Sequence, residues 1–192
     1  MMQQVPLPEK LLRLRAEEKP YILAIDGRCG SGKSTLGSRL SREWNAALVH
    51  MDDFYLPPQR RAEDWMDIPA GNMDLERIRD EILIPFRSGD PVNYTPFLCG
   101  KGRMGQTISL EATGGLIIEG SYSHHPMLRS FYDGMIFVTC SQDEQRRRLM
   151  AREGERYINF ARIWIPKEEQ YFSAFSIAET SDQIIHTGGG EE

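Results

Sequence analysis

Residues 27–34 read GRCGSGKS and match the pattern G-x-x-x-x-G-K-[ST] at every fixed position. The apolar run Tyr21–Ile25 precedes this motif, and its length and composition predict a strand that is buried on both faces. An amphipathic helix is predicted over Lys33–Trp44, because apolar residues recur there every four positions. A strand, a glycine-rich turn and a helix in this order predict a phosphate-binding loop within a parallel α/β sheet.

The residue types of this motif suit a loop that holds phosphate groups. Glycines let the backbone turn with positive φ and bring several N–H groups close to phosphate oxygens, and the helix N-terminus adds its positive dipole end. Lys33 supplies a charge for the outer phosphates, and the Ser34 hydroxyl suits a Mg²⁺ ion bound to them. The alternative interpretation is a glycine-rich turn that binds nothing. The residues predicted to bind the nucleotide here are Gly27, Cys29, Gly30, Ser31, Gly32, Lys33, Ser34 and Thr35.

The remaining pattern predicts a single α/β domain over residues 1–192. Short apolar strands alternate with amphipathic helices, which favours a mainly parallel five-stranded sheet covered by helices. Two extended segments, 91–97 and 106–110, flank a glycine-rich turn and predict a hairpin. The other predicted elements are helices over 9–18, 74–84, 142–153 and after Pro166, and strands over 46–50, 115–119, 134–139 and 183–185.

Charge and composition restrict the classes of partner. The chain has 23 Lys and Arg against 28 Asp and Glu, a net charge of −5, whereas proteins that bind duplex nucleic acid are usually basic. Its apolar runs are far shorter than the ~20 residues that span a bilayer, and no apolar leader precedes the first charges. Three cysteines without CxxC spacing favour a reducing compartment. We therefore expect a cytoplasmic protein that acts on a small molecule, without nucleic-acid or membrane partners, and with homo-oligomer formation left open.

Other proteins with this loop carry further motifs that this chain lacks. A GTPase switch normally has an N-K-x-D string after a later strand, and no such string occurs here. The LSGGQ signature of transport ATPases is also missing, and the chain is too short for a motor with extra domains. The leading class is a small phosphotransferase.

Acidic residues follow two of the predicted strands. Asp52 and Asp53 come after the strand that ends at His50, and Glu119 ends another strand. Parallel strands deliver their C-terminal ends to one crevice, so these carboxylates should lie near the phosphate loop. There a carboxylate can accept the proton of an attacking hydroxyl or hold a metal-bound water, and Ser34, Glu119 and Asp52 are the predicted Mg²⁺ ligands. The alternatives are a capping aspartate and a solvated strand end; His50 is interpreted as a strand-end side chain.

The loop occurs together with MDDFY (51–55), NMDLE (72–76), LIIEGSYS (116–123) and an arginine-rich helix. This combination resembles the uridine kinase and phosphoribulokinase superfamily, which includes nicotinamide riboside kinases. The resemblance implies a P-loop NTPase with a nucleoside/nucleotide-kinase-like three-layer sandwich. It also implies transfer of the γ-phosphoryl group of ATP to the primary hydroxyl of a uridine- or cytidine-like nucleoside or a related ribosyl compound.

The resemblance assigns roles residue by residue. Asp52 corresponds to the catalytic base, Tyr55 to an aromatic of the acceptor pocket, and Glu119 to a Mg²⁺-associated glutamate. The segment 91–110 corresponds to a hairpin that covers the acceptor, whose aromatic side chain stacks on a base. The acceptor-binding residues implied in this way are Asp52, Tyr55, Asp74, Tyr94 and Phe97.

Arginines are concentrated at about residues 146–165, the segment predicted to form a mobile lid. Spacing of four places Arg148 and Arg152 on one helix face, with Arg156 close behind. Lid arginines of small-molecule kinases offset charge on the transferring phosphoryl group, so Lys33, Arg148 and Arg152 are predicted to be catalytic. Arg156 is predicted to contact the nucleotide. The alternative is a solvated basic helix face that pairs with neighbouring acids.

The chain departs from the uridine kinase pattern in one segment. Residues 97–103 contain no histidine, although uridine and cytidine kinases use one there to read the pyrimidine edge. Three alternatives therefore remain beside a nucleoside kinase. They are a kinase of another small alcohol, pantothenate-like or glycerate-like, a kinase of a nucleotide, and an ATP-binding module without catalytic activity.

Overall fold

The computed structural model describes residues 7, 9–17, 19–111 and 114–188 of the chain. Its strands are β1 (Tyr21–Gly27), β2 (Ala47–His50), β3 (Val92–Tyr94), β4 (Phe97–Leu98), β5 (Arg103–Met104), β6 (Ile108–Leu110), β7 (Gly115–Glu119), β8 (Gly134–Thr139) and β9 (Gln183–His186). Five of them form one sheet in the order β2-β7-β1-β8-β9, and every pair in it is parallel. The predicted parallel five-stranded sheet is confirmed.

Helices cover both faces of this sheet. They are α1 (Glu9–Ala16), α2 (Lys33–Trp44), α3 (Leu75–Arg77), α4 (Ile84–Ser88), α5 (Pro126–Arg129), α6 (Gln142–Glu153), α7 (Tyr157–Asn159) and α8 (Ile165–Phe175). The predicted bounds of α2 and α6 agree with the structure. Helix α1 ends at Ala16, and Glu18, where the sequence placed its end, lies outside the described residues.

Alternation along β1 divides the interior into two cores. Ile22 faces one side, where it shares a core with Phe172 of α8, and Leu23 faces the other, where it shares a core with Leu11 of α1 and Leu40 of α2. Successive side chains of a strand point to opposite faces, so a strand between two helical layers must be apolar throughout. All seven residues of β1 are buried, and the result is a three-layer α/β sandwich.

Two π-helical segments precede prolines. Ile78–Leu83 joins α3 to α4 just before Pro85, and Phe160–Trp164 joins α7 to α8 just before Pro166. Proline has no N–H to donate and its ring collides with the carbonyl four residues earlier, which favours a wider turn at that point. The helix expected to begin at Pro166 therefore continues an earlier helical path, and residues 142–175 are helical almost throughout.

The predicted hairpin is present as two short antiparallel ladders, β3 with β6 and β4 with β5. The structure places Tyr94 opposite Ile108 and Phe97 opposite Met104. Within the described part of the chain, no helix has the length and hydropathy needed to cross a membrane.

Candidate active site

A cavity of about 780 Å³ lies where β1, β2 and β7 end. Parallel strands bring their C-terminal ends together there, as expected for ligand sites of open α/β sheets. Most of the predicted site residues line this cavity: Cys29, Gly30, Gly32, Lys33, Ser34, Thr35, Asp52, Tyr55, Glu119, Arg148 and Arg152.

The phosphate loop turns in the way its glycines allow. Gly30 and Gly32 have φ of 77° and 96°, values that other residues adopt only with strain. Gly27 has a different function, because a Cβ atom there would lie 1.9 Å from the carbonyl oxygen of Val138 on β8. The structure thus assigns Gly27 to the close approach of two strands and not to the cavity wall.

Arg148 holds the outer side of the loop. Its Nη1 donates to the carbonyl oxygens of Gly30 and Ser31, both at 3.1 Å, and to Oγ1 of Thr187 at 2.9 Å. Its Nε donates to Glu144 at 2.7 Å. Since the C=O and N–H of a trans peptide point in opposite directions, fixing the Ser31 carbonyl outward directs the next N–H inward. Arg148 therefore orients the loop besides lining the cavity.

A buried carboxylate from α8 reaches the loop from the other side. The Cys29 N–H donates to Oε2 of Glu168 at 2.9 Å, and the Ser121 hydroxyl donates to Oε1 at 2.5 Å. Glu168 is only 5 % exposed, and burial raises its pKa, while the charge of Lys33 opposes that shift. Burial also raises the pKa of the Cys29 thiol, which favours the neutral form of that side chain.

Glu119 ends β7 beside the loop and has two polar partners. The Ser34 hydroxyl donates to Oε2 at 3.1 Å, and Nδ1 of His50 lies 2.6 Å from Oε1. Gly37 of α2 leaves room for this carboxylate, because a Cβ atom there would lie 3.2 Å from its Cγ. A hydroxyl and a carboxylate side by side are the protein donors that suit a Mg²⁺ ion held mainly by phosphate oxygens and water. The described residues contain no cluster of three or more His, Cys, Asp or Glu side chains that would hold a metal alone.

The two aspartates after β2 have different surroundings. Asp52 is exposed and lines the cavity, and its carboxylate has no hydrogen bond or ion pair with any described residue. Asp53 accepts a hydrogen bond from the Tyr94 hydroxyl at 3.3 Å, and burial raises its pKa. Of the two, Asp52 is the carboxylate free to meet a hydroxyl in the cavity.

Besides Gly27, five predicted site residues do not line the cavity. Ser31 is buried behind the loop, and Asp74 is buried with Oδ2 2.9 Å from Nη1 of Arg60. The hairpin aromatics are also packed: the Tyr94 ring stacks on Phe54, and Phe97 is 6 % exposed. Arg156 points into solvent and pairs with Glu153 at 3.2 Å. The residues not brought to the cavity are thus Gly27, Ser31, Asp74, Tyr94, Phe97 and Arg156.

Aromatic side chains line part of the cavity. Tyr55 lies 6.4 Å from Trp164, and Trp164 lies 6.2 Å from Trp65, measured between ring centroids. Phe160 also lines the cavity, and the guanidinium of Arg152 lies 5.6 Å from its ring. The cavity therefore combines a polar phosphate-loop end with an aromatic side.

Comparisons with known proteins agree with this architecture. No family model and no curated protein sequence matches the chain. A possible uridine kinase from Bacillus stearothermophilus superposes with a TM-score of 0.69 at 18 % identity, over 92 % of this chain and 97 % of that chain. A candidate fructose transport system kinase from Silicibacter sp. TM1040 gives 0.68 at 19 % identity, over 93 % and 99 %. The D-glycerate 3-kinase of Cryptococcus neoformans var. grubii gives 0.58 at 14 % identity, over 92 % and 93 %.

The chain has a P-loop kinase fold. The predicted fold class is confirmed, because these three structures superpose on most of the chain. Identities of 14–19 % carry no information about the acceptor.

Some residues of this P-loop site gave no signal in the sequence. Glu168 is 139 positions from Cys29, and no motif connects them. His50 ends β2, as the sequence indicates, but nothing in the sequence predicts its contact with Glu119. Trp164, Arg61 and Ser121 also line the cavity. Ser121 had a usable signal, because it lies two residues after the acid that ends β7.

Proposed function

We propose that the protein is an ATP-dependent kinase that transfers the γ-phosphoryl group to the primary hydroxyl of a nucleoside or a related ribosyl compound. One observation supports this above all others: the unpaired Asp52 carboxylate and the phosphate loop face the same cavity. A general base and a triphosphate site must share a cavity for direct transfer to an alcohol. We place this reaction in the cytoplasm, without nucleic-acid or membrane partners, and homo-oligomer formation stays open.

The triphosphate would lie on the backbone amides of the loop, with Lys33 at the outer phosphates. Ser34 and Glu119 would hold Mg²⁺, and Asp52 would contact it through water; the hydroxyl and carboxylate pair described above fits that role. When bound, Mg²⁺ offsets charge on the β- and γ-phosphates. Arg148 would keep the loop in its binding conformation, and Arg152, which lines the cavity, would approach the transferring group.

The acceptor would occupy the aromatic side of the cavity, with its hydroxyl against Asp52. Asp52 accepts the hydroxyl proton late in the transfer, because a loose phosphoryl transition state needs little base strength. Tyr55, Trp164 and Phe160 shield the reacting groups from water, which would otherwise hydrolyse ATP.

A second candidate is a kinase of a small alcohol that carries no base. Tyr94 and Phe97 are packed in the hairpin, so in this conformation neither side chain offers a surface on which a base can stack. That observation favours pantothenate-like or glycerate-like acceptors over pyrimidine nucleosides.

Phosphoryl transfer from labelled ATP tests the proposal, with uridine, cytidine, nicotinamide riboside, pantothenate and glycerate as acceptors. We expect one of them to be phosphorylated, and Asp52→Asn to lower kcat by roughly 10²–10⁴-fold while ATP still binds in calorimetry. Asp53→Asn is the matched control and should retain most of the activity. Near-normal turnover of Asp52→Asn would remove Asp52 from the role of base. ATP binding without transfer to any acceptor would indicate a non-catalytic module.

A further inference from the structure

Arg61 lines the cavity, and its guanidinium group has two contacts within the protein. Its Nε donates to the carbonyl oxygen of Leu56 at 3.0 Å, and its Cζ lies 4.9 Å from the centroid of the Trp65 ring. These two contacts restrict the position of the group. Its two Nη atoms donate no hydrogen bond to any described residue, and Arg61 lines the cavity.

The charge of Arg61 is not neutralised within the described part of the chain. Among the cations that line the cavity, Arg148 pairs with Glu144 at 2.7 Å and Arg152 with Glu153 at 2.8 Å. Lys33 and Arg61 have no carboxylate within ion-pair distance. Lys33 belongs to the phosphate loop, where the triphosphate would supply its counter-charge. Arg61 is thus a second unpaired cation, with no assigned counter-charge.

Arg61 lies on the side of the cavity where the acceptor hydroxyl would bind. Burial raises the pKa of the Cys99 thiol, and Asp52 and Arg61 shift it in opposite directions, which places both charges near this residue. Arg61 contacts the ring of Trp65. Trp65 is next to Trp164, and Trp164 is next to Tyr55, so the three rings form a row. An acceptor with its hydroxyl at Asp52 would therefore extend along an aromatic surface toward a guanidinium fork.

We propose that the acceptor carries an anionic group, a carboxylate or a phosphate, which Arg61 binds and which determines the acceptor specificity. A planar guanidinium with two free nitrogens matches the geometry of such a group. This inference rests on the proposed kinase function, and it narrows the acceptor to an alcohol with a negative charge at its other end.

Matched acceptors with and without an anionic group test the inference. The sets are uridine with orotidine, panthenol with pantothenate, and glycerol with glycerate and with glycerol 3-phosphate, each assayed for kcat/KM with MgATP. The three-carbon set separates a carboxylate from a phosphate. In at least one set we expect the anionic member to exceed the neutral one at least tenfold. Arg61→Met, which preserves the contact with Trp65, should abolish that preference; Arg42→Met on the exposed face of α2 should not.

Binding of the same compounds, measured by calorimetry with a non-hydrolysable ATP analogue present, separates failure of this inference from failure of the kinase function. Binding of an anionic member that Arg61→Met weakens at least tenfold supports the anion site even if no compound is phosphorylated. Equal kcat/KM of neutral and anionic members, unchanged in Arg61→Met, would overturn the inference and leave the kinase function standing. Binding of no anionic compound of the panel would overturn it as well.

Discussion

The carboxylate of Glu119 owes its position to two side chains that come from different elements. Ser34 at the start of α2 bonds one oxygen, and His50 at the end of β2 lies 2.6 Å from the other. Glu119 is 4 % exposed, so its orientation depends on these partners and not on solvent. The hydrogen bond to Glu119 also raises the pKa of His50, which shows that the carboxylate favours a protonated partner there. His50 is a positioning residue for the proposed Mg²⁺ site.

We predict that His50→Ala raises the Mg²⁺ concentration needed for half-maximal ATP binding by roughly 10–100-fold, the usual range for loss of such a supporting residue. The reason is that Glu119 loses the partner that fixes one of its oxygens. Calorimetric titration of ATP at a series of Mg²⁺ concentrations measures the effect. His186→Ala, at the exposed end of the edge strand β9, is the control. An unchanged Mg²⁺ requirement in His50→Ala would show that Glu119 needs no such support.

The buried side chains of His124 and Asp26 have opposite effects on the pH dependence of stability. Burial lowers the pKa of His124 from 6.5 to about 3, so its stabilising contribution is present above pH 6.5 and is lost as the pH falls toward 3. Burial raises the pKa of Asp26 to about 6, against three hydrogen bonds that favour its charged form. Its contribution is present below pH 3.8 and is lost as the pH rises through 6. Between about pH 4 and 6 the two contributions largely cancel.

His124→Gln removes one of these two contributions. We predict that the free energy of unfolding of wild type, relative to that of the variant, falls by about 1.4 kcal/mol per pH unit as the pH decreases from 6 to 4. Urea denaturation at pH 4, 5, 6 and 7 measures this difference, in which the other titrating groups cancel. Parallel pH profiles of the two proteins would contradict a neutral, buried His124.

Helix α6 illustrates how an element far along the chain completes the phosphate loop. The Ser141 hydroxyl accepts a hydrogen bond from the Glu144 N–H and caps the helix. Arg148 lies one turn after Glu144, and its Nε donates a hydrogen bond to the Glu144 carboxylate. Its Nη1 donates to two carbonyl oxygens of the loop. The sequence pattern predicted this helix and its basic face, but the partners of Arg148 lie 117 and 118 residues away.

Arg148→Lys tests whether the helix acts on ATP through the loop geometry. An ammonium group cannot bond Glu144 and reach the two carbonyls with fixed, planar geometry, so we predict an ATP Kd about tenfold higher even without acceptor. Arg147→Lys is the matched control, because Arg147 is mostly exposed and bonds only Glu144. Calorimetry with MgATP gives both constants. Unchanged ATP affinity together with a lower kcat would instead assign Arg148 to the transferring phosphoryl group.

Local sequence patterns predict the sheet and the position of the phosphate loop, whereas several contacts of the site join residues that are far apart in the chain. Continuous apolar runs and a single glycine-rich motif sufficed to predict the parallel sheet and the position of the loop. They could not predict that Tyr94 packs on Phe54. The sequence pattern of an aromatic residue in a strand is the same whether its side chain faces a ligand or the core. Nor could they pair Cys29 with Glu168, since hydrogen bonds between residues 139 positions apart leave no periodic signal.

Three consecutive residues of α8 bond to the phosphate loop and to the segment 66–68. Lys167 is buried, and its Nζ donates to the carbonyl oxygens of Met66 and Ile68. Glu168 accepts from the Cys29 N–H on the phosphate loop, and Glu169 pairs with Arg28 of that loop at 2.5 Å.

Glu168 places a negative charge where a triphosphate would approach, and like charges in a poorly hydrated site repel. We predict that Glu168→Gln, which keeps the size and one acceptor oxygen, lowers the ATP Kd about tenfold, as measured by calorimetry with MgATP. Because burial raises the pKa of Glu168, lowering the pH protonates the wild-type carboxyl and should tighten ATP binding, whereas the affinity of the variant should change less. Glu169→Gln, which breaks the pair with Arg28 on the partly exposed outer side of the loop, is the control. Weaker ATP binding by Glu168→Gln at every pH would mean that the carboxylate supports the loop more than it repels the nucleotide.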